Sequence, residues 1–188
     1  MRSPLIGRTL HLAAGTALAF VLAALPAHGA TYWTIPAVLK SFFASSKKVG
    51  YRKVVLSDVE VQELGKKLGA PIKREWVVYV AESEGKVDGY AIKDEEKGMH
   101  EPIDFAVKFS TAGAVERIEI LEYREAYGDE VRGDRFRAQF HGKTASDPIT
   151  AGKDIDIVSG ASISSRSVAL GVKRDTLVLQ LALKRGAL

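Results

Sequence analysis

The chain has 188 residues, 46% of them hydrophobic, with 27 Lys and Arg against 23 Asp and Glu and no Cys. That suffices for one buried core, and the lack of Cys excludes disulfides, c-type haem attachment and thiolate-held iron–sulfur clusters, so any electron traffic must use an organic cofactor. Charge this close to balance gives little support to nucleic-acid binding, and His100 and His141, the only His outside the first thirty residues, are too far apart to suggest a zinc site.

Residues 1–30 read as a targeting segment. Arg2 and Arg8 form a basic start, Leu10 to Leu25 is an uncharged apolar run, Pro26 breaks it, and Ala27, Gly29 and Ala30 offer a cleavage site. The run is shorter than the roughly 20 residues of a membrane span. A cleaved signal is the first reading and a retained anchor the second. Either way the mature chain is expected to be exported, at the periplasmic or extracytoplasmic face of the membrane. Without Cys there is no lipid-anchor site.

Residues 31–72 are expected to form an N-terminal helical extension. Pro36 opens a short helix over residues 37–46 with Val38, Leu39, Phe42 and Phe43 apolar, which either packs on the domain or meets a membrane or partner. Tyr51 to Leu56 reads as a strand. Ser57 and Glu60 make a capping box for a helix to Leu68, which Gly69 and Pro71 end.

From residue 73 onward the pattern changes to strands: Glu75–Glu82, Lys86–Lys93, Ile103–Phe109 and Val115–Tyr123, separated by turn signals at Glu84-Gly85, Gly98 and Ala112-Gly113. Phe105, Val107 and Phe109 share one face, as do Ile118 and Ile120. The expected fold class is α+β, an antiparallel meander packed against helices. A charged loop follows, and Arg135 to Phe140 is predicted as a short helix with Phe136 and Phe140 on one side. Lys153 to Val158 is predicted as a strand, and a long helix from about Ile163 to Lys184 carries Val168, Val172, Leu179 and Leu183 as an apolar stripe.

The junction between that strand and helix reads Asp156-Ile157-Val158-Ser159-Gly160-Ala161-Ser162. The first amides of a helix lack intrahelical acceptors and lie at its positive dipole end, so such a turn can hold a phosphate. Gly160 permits close approach, and the hydroxyls of Ser159, Ser162, Ser164 and Ser165 are candidate donors. The plain alternative is a helix cap without a ligand.

Asp-x-x-Ser-Gly-Ala-Ser resembles the flavinylation motif of the FMN-binding domain family, found in peripheral flavoprotein subunits of the Rnf complex and of the sodium-pumping NADH:quinone reductase. The resemblance implies an FMN-binding domain over residues 73–188 in which Ser162 is esterified to the FMN phosphate by a flavin transferase and Asp156 is read by that enzyme. The family's usual acceptor is Thr; Ser presents the same nucleophile without the methyl group. The resemblance also makes Tyr127, Arg132 and Phe136 candidates to stack on the flavin ring or bind its polar edge, with Phe136 otherwise a core residue. The implied function is an exported electron-transfer flavoprotein serving redox partner proteins or a membrane electron-transfer complex, and no nucleic acid. Rival readings are a non-redox binding or assembly module of a membrane complex, and a flavoenzyme reducing a small molecule. A serine hydrolase is disfavoured because Ser162 has no identifiable His and Asp partners.

Overall fold

The computed structural model describes residues 29–188, so the predicted leader, apart from Gly29 and Ala30, lies outside the described residues. The chain starts at one edge of a sheet, crosses it, and then folds back strand by strand. Strand β1 (Ala30–Thr31) is followed by α1 (Ile35–Phe42), β2 (Lys48–Val55) and α2 (Asp58–Leu68). The meander β3 (Glu75–Ser83), β4 (Lys86–Lys97), β5 (Pro102–Phe109) and β6 (Val115–Tyr123) then returns to pair with β1. The six-stranded antiparallel order is β1-β6-β5-β4-β3-β2, so the predicted meander is present and Lys48–Val55 extends it as an edge strand.

Local chemistry sets the element ends. Thr34 accepts a hydrogen bond from the Ala37 amide and Pro36 lies in the first turn of α1. Ser57 and Glu60 form the reciprocal capping box that starts α2, and Gly69 closes it. In the sheet, Phe105 pairs with Ile120 and Val107 with Ile118, which puts the alternating apolar residues on one face.

That face carries the main core. Trp76, Val78, Ile92, Phe105, Val107, Phe109, Ile118 and Ile120 are buried together with Val168, Val172 and Leu179 of α4 (Ser162–Lys184). Leu183, the last residue of the predicted stripe, is partly buried. The helix is covered on more sides than the stripe implied, since Arg174, Asp175 and Thr176 are also buried. The opposite face of the sheet has a smaller core, in which Val38, Phe42 and Phe43 sit on Ala81, Ala91, Ala106 and Leu121. Helix α1 therefore packs on the domain, and helices cover both faces of the sheet. No helix among the described residues is long and apolar enough to cross a membrane.

Between β6 and α4 the chain forms a 3₁₀ turn (Asp129–Arg132), α3 (Asp134–Arg137) and a second 3₁₀ turn (Ala138–Phe140), so the predicted helix at 135–140 is split in two. The strand expected over Lys153 to Val158 is absent. In place of a ladder there is an isolated bridge between Ala151 and Ile155, and the Lys153 and Asp154 amides donate to the Thr150 carbonyl at 3.0 and 3.2 Å. The Asp154 carboxylate instead accepts hydrogen bonds from the amides of Ile149 and Thr150, at 3.1 and 2.7 Å, and pairs with Lys143 at 2.7 Å. Side-chain bonds of this kind offer the backbone an alternative to a ladder, and here they fold an alternating sequence into a loop.

Candidate functional site

The motif occupies the junction that this loop makes with α4. The Ala161 amide donates to the Val158 carbonyl at 3.0 Å, closing a four-residue turn in which Gly160 has φ +82°. Such a turn needs a positive φ at its third residue, which Gly provides without strain. A side chain at Gly160 would meet open space, so the turn faces outward.

Helix α4 then starts at Ser162 with Ala161 as its cap and no side-chain cap hydrogen bond. Asp156, Ser159, Gly160 and Ser162 are all exposed at this start, whereas Ala161 is buried. An uncapped helix N-terminus with an accessible hydroxyl suits an anionic group.

Ser164 and Ser165 differ from the expectation that they would face a phosphate. Both are buried. The Ser164 hydroxyl lies 2.8 Å from the Tyr123 hydroxyl. Ser165 donates to the Ala161 carbonyl at 2.8 Å and accepts from the Val158 amide at 3.1 Å. Their hydroxyls are spent on holding the turn, which is the physical reason they are not free donors.

The loop after β6 is pressed against the same helix start. Gly128 has φ +96°, and a Cβ there would lie 2.5 Å from the Tyr123 hydroxyl and 2.8 Å from Ser164 Oγ. Tyr123 also donates to the Tyr127 carbonyl. Burial pushes the Tyr123 hydroxyl above the usual tyrosine range, so it remains a donor at any ordinary pH. Farther along α4, Ser167 donates to the Lys97 carbonyl at 2.6 Å, fixing the helix to the end of β4.

Beside the turn lies a pocket of about 340 Å³, walled by Glu130, Gly133, Arg135, Phe136 and Gln139 on one side and by Asp156, Ile157, Val158 and Ser159 on the other. It sits at the small end of the roughly 300–1,000 Å³ range of small-molecule sites, which suits a flat ring system left partly open to solvent. Gln139 fastens the two walls. Its Oε1 accepts from the Asp156 amide at 2.6 Å and its Nε2 donates to the Asp156 carbonyl at 3.5 Å.

The three candidate ring contacts are placed differently from one another. Phe136 lines the pocket but is 2% exposed, its ring edge-on to Phe140 at 5.3 Å, so it serves the core and forms only part of the wall. Tyr127 is 87% exposed and is not among the residues lining the pocket. The Arg132 guanidinium stacks 4.4 Å above the Tyr32 ring and is also outside the lining. Sequence reasoning missed Gln139 and Arg135, which carry no motif, and Tyr123, which read only as a strand end. The Tyr-Gly pair at 127–128 was the available signal that the chain turns sharply there.

An uncapped helix start, an exposed serine hydroxyl and an adjoining slot together fit a ligand that combines a phosphate with a flat ring. Residues 98–175 match the family described as FMN-binding domain. In sequence, the chain is 33% identical over 109 residues to a subunit of the proton-translocating ferredoxin:NAD(+) oxidoreductase complex of Clostridium ljungdahlii. That match covers 54% of this chain and spans only 57% of the relative's length. In structure, it resembles NqrC of Shewanella oneidensis with a TM-score of 0.53 at 19% identity, over 77% of this chain and 88% of that one, a likeness that speaks to the fold alone. A subunit of the Na(+)-translocating NADH-quinone reductase from Parabacteroides distasonis superposes more loosely, with a TM-score of 0.43, 17% identity, and coverage of 70% of this chain and 78% of that one. The motif lies within the matched residues, so residues 98–175 are similar to the same FMN-binding domain family that the motif resembles.

Proposed function

We propose that this chain is an exported electron-transfer flavoprotein that carries FMN esterified through its phosphate to Ser162 and serves a membrane complex of the Rnf or sodium-pumping NADH:quinone reductase type. The observation that carries the reading is the exposed Ser162 hydroxyl at the uncapped start of α4, beside a slot of ring size. Ser162 Oγ would be the tether. The amides of the turn at 159–162, at the positive end of α4, would receive phosphate oxygens. Phe136, Ile157 and Val158 would form the apolar wall for the ring, with Arg135 at its polar side. Bound FMN supplies exchange of one or two electrons, so the protein's work is to bind, orient and tune it.

Asp156 is exposed and its backbone is held by Gln139, which presents its carboxylate to a flavin transferase that reads the motif. The finished protein needs no general base at Ser162, because the hydroxyl proton is removed during attachment by the transferase. Export is supported by the basic, apolar and small-residue order of the first thirty residues. The assembly partner is supported by the named complex of the Clostridium ljungdahlii relative.

The test is intact-mass measurement of the full chain produced in cells that contain a flavin transferase, with Ser162→Ala and Ser159→Ala beside it. A gain of one FMN less one water in the wild type and in Ser159→Ala, but not in Ser162→Ala, is expected. Wild-type protein without the gain refutes the tether, and flavin absorbance of the same sample then decides whether FMN binds without a bond.

A further inference from the structure

At the sheet edge farthest from β1, strand β2 pairs with β3 on one side only, so one row of its backbone groups has no strand partner among the described residues. Its residues Val49, Tyr51, Lys53 and Val55 lie on the α1 face, opposite Ala81, Tyr79, Val77 and Glu75. Tyr51 is 66% exposed, Val55 46% and Val77 40%. A groove of about 520 Å³ runs between the end of α1 and this strand, with Leu39, Phe43, Tyr51 and Tyr79 in its walls and Lys40 and Lys47 among its lining residues. A free strand edge beside exposed aromatic and β-branched side chains is a template for a further strand.

The charge of the edge selects the occupant. Lys48–Val55 contains three cations, Lys48, Arg52 and Lys53, and no acid. Among the described residues their ion-pair partners are Glu82, at 3.8 and 3.6 Å, and Glu75, at 3.1 Å. All three cations are at least half exposed, so these contacts hold them weakly and leave them able to exchange partners. A second copy of β2 would oppose cation to cation, which is unfavourable across a strand pair.

We propose that β2 is a docking edge for an extended segment of a partner protein in which apolar and acidic residues alternate, added as a seventh strand. The apolar residues continue the row of Val49, Tyr51 and Val55, and the acids, on the other face, meet Lys48 and Arg52. This surface belongs to residues outside the FMN-binding family match and does not depend on flavin.

The probes are two labelled eight-residue peptides, one alternating Val and Glu and one alternating Val and Lys, titrated onto the full chain by fluorescence anisotropy while amide exchange of β2 is followed. The acidic peptide alone should bind and should slow exchange of the outward amides of β2. The double variant K48E/R52E, with an unchanged melting temperature, should bind it about tenfold more weakly, the sum of two exposed ion pairs. Failure of the acidic peptide to bind overturns the proposal, as does equal binding of both peptides. Outward amides of β2 already protected before peptide is added would show that the chain covers this edge itself. Binding to phosphatidylglycerol vesicles that K48E/R52E abolishes, with peptide binding unaffected, would assign the face to a lipid surface instead.

Discussion

Helix α4 presses on the sheet at Gly171, and replacing that residue with Ala tests whether the close approach is what positions the helix. A Cβ at Gly171 would lie 2.2 Å from Phe105 Cζ, 2.9 Å from Cε1 and 3.3 Å from Cε2. Favourable carbon contacts lie near 3.5–4.0 Å, so the ring or the helix must move by about 1.3 Å or more. Phe105 is fully buried in the middle of β5, paired with Ile120 and Asp94, and has no space to yield. Overpacking of this kind costs about 1–3 kcal/mol, and the deep overlap puts Gly171→Ala at the upper end. The gain from replacing a helical Gly by Ala offsets about 1 kcal/mol of it. A net loss of about 2 kcal/mol should lower the urea midpoint by roughly 1 M for a domain of this size. Phe105→Leu combined with Gly171→Ala should cost less than the two changes summed, since each relieves the other. A midpoint that rises in Gly171→Ala would refute the reasoning, because it would mean that only helix propensity is felt there.

Other substitutions probe the site and the buried charges. Tyr123→Phe should destabilise by about 1–3 kcal/mol, because Ser164 Oγ and the Tyr127 carbonyl lose a buried partner; thermal melting checks it. Gln139→Ala should leave the melting temperature nearly unchanged while slowing FMN attachment several-fold, read as the time course of the mass gain, because the Asp156 backbone loses both its fastenings. Asp175 is fully buried, neither carboxyl oxygen has a hydrogen-bond donor facing it, and burial with the neighbouring Asp94 charge raises its pKa well above the carboxylate range. The folded chain thus keeps a proton that the unfolded chain releases above about pH 4, so this group's contribution to stability is complete in acid and is lost as pH rises through the folded pKa. Asp175→Asn should melt no lower than wild type at pH 8 and lose that pH dependence. An equal drop at pH 4 and pH 8 would show instead that the carboxyl is needed as such.

The meander was readable because each strand keeps a period of two against a single buried face. Phe105, Val107 and Phe109 on β5 and Ile118 and Ile120 on β6 announce both the strands and their pairing. The second core was harder to see. Helix α1 covers a patch made largely of alanines, Ala81, Ala91 and Ala106, whose hydrophobic signal is weak and which only becomes a surface once three strands are side by side. The burial of Arg174 and Asp175 was invisible for a related reason. Charged residues in a helix read as its solvated side, and what covers them here is a distant strand segment. Arg174 pairs with Asp94 at 2.7 Å and with Glu96 at 2.6 Å, both on β4.

The candidate site divides along the same line. The motif is local, and seven consecutive residues held the turn, the exposed hydroxyl and the helix start. A local departure was the strand before it, where the alternation of Lys153 to Val158 was genuine but Asp154 took up the amides of Ile149 and Thr150. Side-chain capping by a single Asp outweighed a period-two pattern because no neighbouring strand was available to reward that pattern. The slot, by contrast, is assembled from two segments about twenty residues apart. Glu130 to Gln139 meets Asp156 to Ser159 only because Gln139 binds the Asp156 backbone and Arg137 holds α3 to the Ile118 carbonyl of β6. No spacing rule in the sequence encodes those bonds, so the aromatic residues nearest the motif in character, Tyr127 and Phe136, attracted the ring assignment. The fold puts Tyr127 in solvent outside the slot and buries Phe136 as part of its wall, beside polar residues such as Gln139 and Arg135 that carry no motif.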